Sequence, residues 1–148
     1  MSVLDSTSGK RTMNMKWIGL EALIKKLKRL SAPELTREIE KTTRKAVMYV
    51  HGKVPAYPAP PVGSTYKRTG TLGREISTKV ITMGSDVVGL IGSPTPYAPW
   101  VISDEAAGGA GPQAKVHKGR WYTLQGVVKK AQDAVNKIFE DMVRRLTS

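Results

Sequence analysis

Few residues of this chain could carry chemistry, and their spacing decides what kind. There are two histidines, His51 and His117, and no cysteine. A general base or a zinc site needs convergent partners within a few residues or on one face, such as a second histidine or a carboxylate at helical spacing. His51 stands at the end of a helical pattern, one position from its apolar stripe, and reads as a packed or capping histidine. His117 lies in Lys115-Val-His-Lys-Gly-Arg-Trp121, a basic loop with no acid at metal-ligand spacing. Asp104-Glu105 precede a Gly-rich run and read as a solvated pair. Gly70 and Gly73 have the G-x-x-G spacing of an RNA-clamping loop, but that loop joins two helices, whereas here a strand follows. No catalytic residue, metal ligand or cofactor-binding motif emerges, and no cofactor is implied.

The surplus lies elsewhere. The segment 55–71 and the segment about 103–123 are longer than the connections usual in compact domains, which marks them as functional, disordered or holding a misassigned element; the functional reading is that they become ordered against neighbouring copies. They carry Tyr57, Tyr66, Trp121 and Tyr122, and Tyr97 and Trp100 stand just before the second. Trp, Tyr and Arg dominate interface energetics. The candidate interface set is therefore Tyr57, Tyr66, Arg68, Thr69, Gly70, Tyr97, Trp100, His117, Arg120, Trp121 and Tyr122. The competing reading is that two or three of the six aromatics cap the chain's own core. Pro55-Ala-Tyr-Pro-Ala-Pro-Pro61 cannot enter a sheet interior, because proline lacks the donor. It reads as a stiff strap laid across a neighbour, close to polyproline II.

The elements that position these residues follow from periodicity. Residues 1–15 are polar and unpatterned and read as an extended arm, with a single domain over 16–148. Leu20, Leu23, Ile24, Leu27 and Leu30 share one face of a predicted helix over about 16–30. Lys25, Lys26, Lys28 and Arg29 fall on the other, as a candidate basic face. Ser31-Ala-Pro-Glu34 reads as a capping box opening a second helix that stops near Lys53, ahead of Pro55. Leu35, Ile39, Ala46, Val47 and Val50 are its stripe, and Glu40 with Arg44 an i,i+4 pair. From Thr71 the period becomes roughly two, with Ile76, Thr78 and Val80 opposite Lys79. Gly84-Ser-Asp86 is a turn, and Val87–Ile91 the returning strand. Tyr97–Ile102 is expected as a further edge strand because of Pro99. Ala106–Pro112 is loop. Val127, Val128, Ala131, Ala134, Val135, Ile138, Phe139, Met142 and Leu146 trace a wide apolar face on a helix of about 125–146. The expected fold class is α+β: a small antiparallel β-sheet packed with N-terminal helices and a long C-terminal helix, with long interface loops.

Charge and composition narrow the setting. The 148 residues carry a formal net charge of +12, with 40% hydrophobic residues. Basic residues outnumber acidic ones by 12 to 5 in residues 1–54, by 7 to 4 in 55–123 and by 5 to 3 in 124–148. The bias toward the front suggests one basic face, which could meet phosphates, an acidic protein surface or water alone. No run approaches a membrane span, and the front lacks a signal peptide's apolar stretch, so the expectation is a cytosolic product with no membrane partner.

Arg68-Thr-Gly-Thr-Leu72, after a helix and a Pro-rich strap, resembles the Arg-Thr-Gly-x-Leu signature of small neck and tail-completion proteins of tailed bacteriophages. Pro96-Tyr-Ala-Pro-Trp-Val101 is similar to that family's Tyr-Ala element, and the terminal amphipathic helix is similar too. The resemblance covers about residues 20–146. One departure is that many members continue with an acidic residue and a Gly-Thr pair, where this chain has Ile102-Ser-Asp-Glu-Ala-Ala-Gly-Gly.

The resemblance implies a structural virion protein forming a homo-oligomeric ring (hexamer or dodecamer) at the head–tail junction or the end of the tail tube. Its partners would be connector or adaptor and tail tube proteins, with double-stranded DNA passing non-specifically through the lumen. A lumen lined with lysines would grip phosphates, so the basic face is expected against an acidic connector or tail surface. The same residues also admit a nucleic-acid-binding module using the 16–30 helix and the Lys115–Arg120 loop. A third reading is a small enzyme or toxin acting through His117 or Arg120.

Overall fold

The computed structural model describes residues 30–65, 67–103 and 113–148. The arm, residues 16–29 of the expected first helix with the basic residues Lys25, Lys26, Lys28 and Arg29, Tyr66, Asp104-Glu105 and the run 106–112 lie outside the described residues. The described elements are helix α1 (Ala32–Gly52), a single turn α2 (Thr71–Arg74), strands β1 (Ser77–Met83) and β2 (Asp86–Gly92), a short α3 (Ala98–Ile102), and the long α4 (Leu124–Thr147). The fold is α+β, as its patterning predicts: one antiparallel hairpin with helices packed against it.

Helix α1 begins where its cap signals place it. The Glu34 carboxylate accepts from Ser31 N–H at 3.0 Å and from the Ser31 hydroxyl at 2.6 Å, and these bonds hold its pKa below the usual value. The helix ends at Gly52, with Lys53 as C-cap. Its last turn is tied to the hairpin by His51, whose Nε2 donates to the Ile76 carbonyl at 3.0 Å. The acceptor is a carbonyl, so this nitrogen carries the proton, and the side chain ties α1 to the residue before β1 rather than capping its own helix.

Nearer the middle of α1, Glu40 accepts from the Thr82 hydroxyl on β1. The helix thus runs antiparallel to β1 along one face of the hairpin. The ladder pairs Val80 with Gly89 and Ile81 with Val88. Gly89 faces α1 so closely that a Cβ there would stand 2.4 Å from Val47 Cγ1 and 3.0 Å from Thr43 Cγ2. The glycine is what lets helix and strand approach.

Two apolar clusters share the interior. Ala46 and Val50 of α1 pack on Val127, Ala131 and Val135 of α4. Leu72, Ile76, Ala98 and Ile102 form the second, with Val54, Ile91 and Tyr122 packed against both. Arg145 of α4 donates to Glu38 of α1 at 2.6 Å and depresses that carboxyl's pKa.

Two sequence expectations are corrected. Tyr97–Ile102 is not an edge strand: Ala98–Ile102 is one helical turn with Tyr97 in the αR region as its N-cap and Ser103 N–H bonded back to Pro99 O. Pro99 falls in the first turn, where its missing donor has no partner to lose. The period-two stretch also begins later than expected. Thr71–Arg74 is a helical turn started by Gly70 at φ +73, a conformation that suits glycine, and the strand starts only at Ser77.

Candidate partner-binding cleft

The candidate residues converge. A cleft of about 380 Å³ opens between the strap, the turn at α2, α3 and the loop before α4. Tyr57, Arg68, Thr69, Gly70, Tyr97, Trp100, His117 and Trp121 line it. Of the remaining candidates, Arg120 is exposed on the adjacent turn and Tyr66 is outside the described residues. Tyr122 lines a different hollow of about 610 Å³ between α1 and α4, with Tyr49, Lys53 and Lys130. It belongs to the core side: its hydroxyl is buried with no partner among the described residues, and burial, then Tyr57, raises its pKa.

The wall of the cleft is built on Arg68. Its guanidinium donates to the Pro58 carbonyl and stands over two rings, Tyr57 at 5.9 Å and Trp121 at 5.1 Å. Tyr57 and Trp121 lie 5.0 Å apart, tilted by 54°, and His117 meets Trp121 edge-on at 6.0 Å. The Tyr57 hydroxyl accepts from Gly73 N–H. Arg68 therefore fastens the strap to the loop before α4, because a planar cation can stack on rings while donating in its own plane. Arg68, Tyr57 and Trp121 act first as internal struts. The core-capping reading of the aromatics applies to Tyr57, Trp121 and Tyr122.

Tyr97 and Trp100 behave differently. They are 44% and 45% exposed on the rim, carried by α3. Ala98 and Ile102 of the same turn are buried, Ile102 at 2%. The short helix thus presents two aromatics outward from a fixed base.

One residue that sequence reasoning missed holds this base. Gln113 is buried; its side-chain amide donates to the Val101 carbonyl at 2.5 Å and, more weakly, to Trp121 O at 3.4 Å. Its backbone N–H reaches Ser103 O at 2.8 Å, and Ala114 N–H reaches Trp100 O at the same distance. Gln125 adds a bond to the Ser103 hydroxyl. A glutamine after a Gly-rich run gives no periodic signal, and only the fold makes it a clamp.

The electrostatics around the cleft are basic. Lys67, Arg74, Lys115, Lys118 and Arg120 are exposed on its flanking segments. Among the described residues no group of three or more His, Asp or Glu could hold a metal ion, and no helix is long and apolar enough to cross a membrane. The arrangement can bind: it offers two exposed rings, a stacked cation and a backbone fixed on three sides.

Comparison with protein-family models, with curated proteins and with solved structures finds no match to this chain.

Proposed function

We propose that this chain is a structural virion protein of a tailed bacteriophage. In this reading it forms a homo-oligomeric ring at the neck or the end of the tail tube, joins connector to tail, and lets double-stranded DNA pass. It is made in the host cytoplasm and ends in the virion. No catalytic role is assigned to it. The observation that carries the reading is the convergence of the candidate residues, drawn from four separate segments, on one open cleft whose rim holds Tyr97 and Trp100 half in water. Exposed rings on a rigid mount suit a docking surface, since they bring contact area with little ordering cost. The Arg-Thr-Gly-Thr-Leu and Tyr-Ala elements that suggest the family are the same segments that form the cleft.

A second reading has one observation in its favour. Lys115, Lys118 and Arg120 are exposed on the turn 115–120 beside the aromatic rim, a pairing of cations and rings that single-stranded nucleic acid exploits. One experiment separates the two: the mass of the purified protein across a concentration series, at low and high salt, with and without DNA. A closed oligomer, alone or on its connector and tail partners, is expected. A monomer that binds DNA tightly and loses it steeply with salt overturns the ring in favour of the nucleic-acid module.

A further inference from the structure

The strap ends in a knob. Pro61 to Ser64 make a turn closed by Ser64 N–H donating to the Pro61 carbonyl at 3.0 Å, with Gly63 at φ +78 in its third position. That geometry is a glycine-requiring turn. Val62, in the second position, is fully exposed. The root of the knob is fixed, because Arg68 grips Pro58 and Gly73 grips Tyr57. A turn-closed apolar tip on a proline stem has little freedom left to lose on docking.

Charge limits where two copies can touch. Chains at +12 repel one another. Residues 54–65 carry no charge, and neither do residues 87–103. The first stretch holds the knob. The second holds Tyr97 and Trp100, the exposed rim of the cleft. Among the described residues, the one permanent cation lining the cleft, Arg68, is already bonded to Pro58 and stacked on two rings. Knob and rim carry no charge of their own, so the like charges brought near one another are confined to flanking residues, Lys67 beside the knob and Lys115, Lys118 and Arg120 beside the rim.

We propose that the Pro61–Ser64 knob of one copy docks on the Tyr97/Trp100 rim of the next. This rests on the ring reading above and gives it a contact. Proline-rich segments seat on aromatic-lined grooves because their stiff backbone is preformed. Knob and cleft are different surfaces, so the contact is heterologous: each added copy leaves one knob and one cleft free until rotation closes the ring. Within one copy the two do not meet. The strap's root already lines the cleft through Tyr57, and Val62 stands out in water.

The chain has no cysteine, so a designed pair reports the contact cleanly. Oxidising the double variant Val62→Cys with Tyr97→Cys is expected to give a ladder of covalent multimers, while each single variant gives none. Val62→Asp is expected to weaken self-association about tenfold or more, which is about 1.4 kcal/mol, with Tm unchanged. Mixing Val62→Asp with Trp100→Ala restores one good knob and one good cleft, so heterodimers form but no closed ring. If Trp100→Ala does not fold, the cysteine pair still decides. A ring that forms equally well with Val62→Asp leaves the ring reading standing and overturns this docking, as does a disulfide dimer from Val62→Cys alone. A wild-type chain that stays monomeric at the highest concentration, with and without connector and tail proteins, removes both.

Discussion

The helix–hairpin half and the aromatic cleft hold themselves together by different means. In the first, α1, the hairpin and α4 meet through repeated small contacts: Ala46, Val50, Val127, Ala131 and Val135 interlock along two helices, and Gly89 lets the strand lie close to α1. No single polar bond decides that arrangement, and its stability is spread over buried apolar area. The cleft stands on an apolar cluster of its own, Leu72, Ile76, Ala98 and Ile102, but its walls are held differently. It depends on a handful of directed contacts: Arg68 on Pro58 and two rings, Tyr57 on Gly73, and Gln113 on Val101. A region built on area tolerates loss of one contact and resists loss of volume match. A region built on directed bonds does the reverse, and can be loosened without unfolding the rest.

The sharpest way to break this contrast is at Gly89. Gly89→Ala places a methyl 2.4 Å from Val47 Cγ1 and should cost about 1–3 kcal/mol through overpacking, read as a fall in Tm with unchanged denaturant slope. Adding Val47→Ala removes the clashing atom, and the double variant should recover part of the loss. Two independent penalties that simply add would show that the close approach is not what makes Gly89 necessary.

A smaller effect is expected at Arg68. Arg68→Lys keeps the charge and loses the planar stack, which is not a conservative exchange at such a site. The expected cost is about 1 kcal/mol, but the readout that matters is local. Hydrogen exchange or proteolysis should rise in residues 55–65 and 115–121 and stay unchanged in α1 and α4. An equal rise everywhere would mean that the cleft and the helix–hairpin half open as one unit.

The smallest effect is electrostatic and lies at the far end of the helix pair. Glu38 is held below the usual carboxylate range chiefly by its bond from Arg145, and Glu34 by its bonds from Ser31. A depressed folded-state pKa means the stabilisation is present above the ordinary carboxylate value and is lost as pH falls through the folded value. Stability should therefore decline on the acid side, with Glu38→Gln flattening that limb. High salt should weaken the Arg145 contribution, since the pair is partly exposed. An acid limb unchanged by Glu38→Gln would leave that bond without a stabilising role.

The same contrast explains what could be read from the residues alone. The helix–hairpin half was legible because periodicity encodes area: Val127, Ala131, Val135 and Met142 line up at helical spacing, and all four are buried. Ser31 and Glu34 announced the start of α1, and Gly84-Ser85 the turn between strands. The cleft was legible as a set of residue types and not as a geometry. Tyr97–Ile102 has too few positions for a period to declare itself, and by sequence its Pro99 suits an edge strand as well as the helical turn it opens. Arg68 and Trp121 have the chemistry of partner-facing residues, yet each is engaged within the chain first. Gln113 had no sequence signal, since its role comes from carbonyls on two other segments.

The pairing of α1 with α4 also bears on the order of events during synthesis. The bond from Arg145 to Glu38 spans 107 positions, and the α1 residues Ala46 and Val50 are covered by residues from 127 onward. At about 5–20 residues per second, a translating ribosome would hold α1 for several seconds before its covering helix exists. Among the described elements, the hairpin is the earlier one that α1 packs against, with Gly89 in contact and Ile76 bonded just before it. The apolar stripe of α1 is thus half-sheltered early and finished late, which makes α4 the element whose truncation would leave the nascent chain most prone to aggregate.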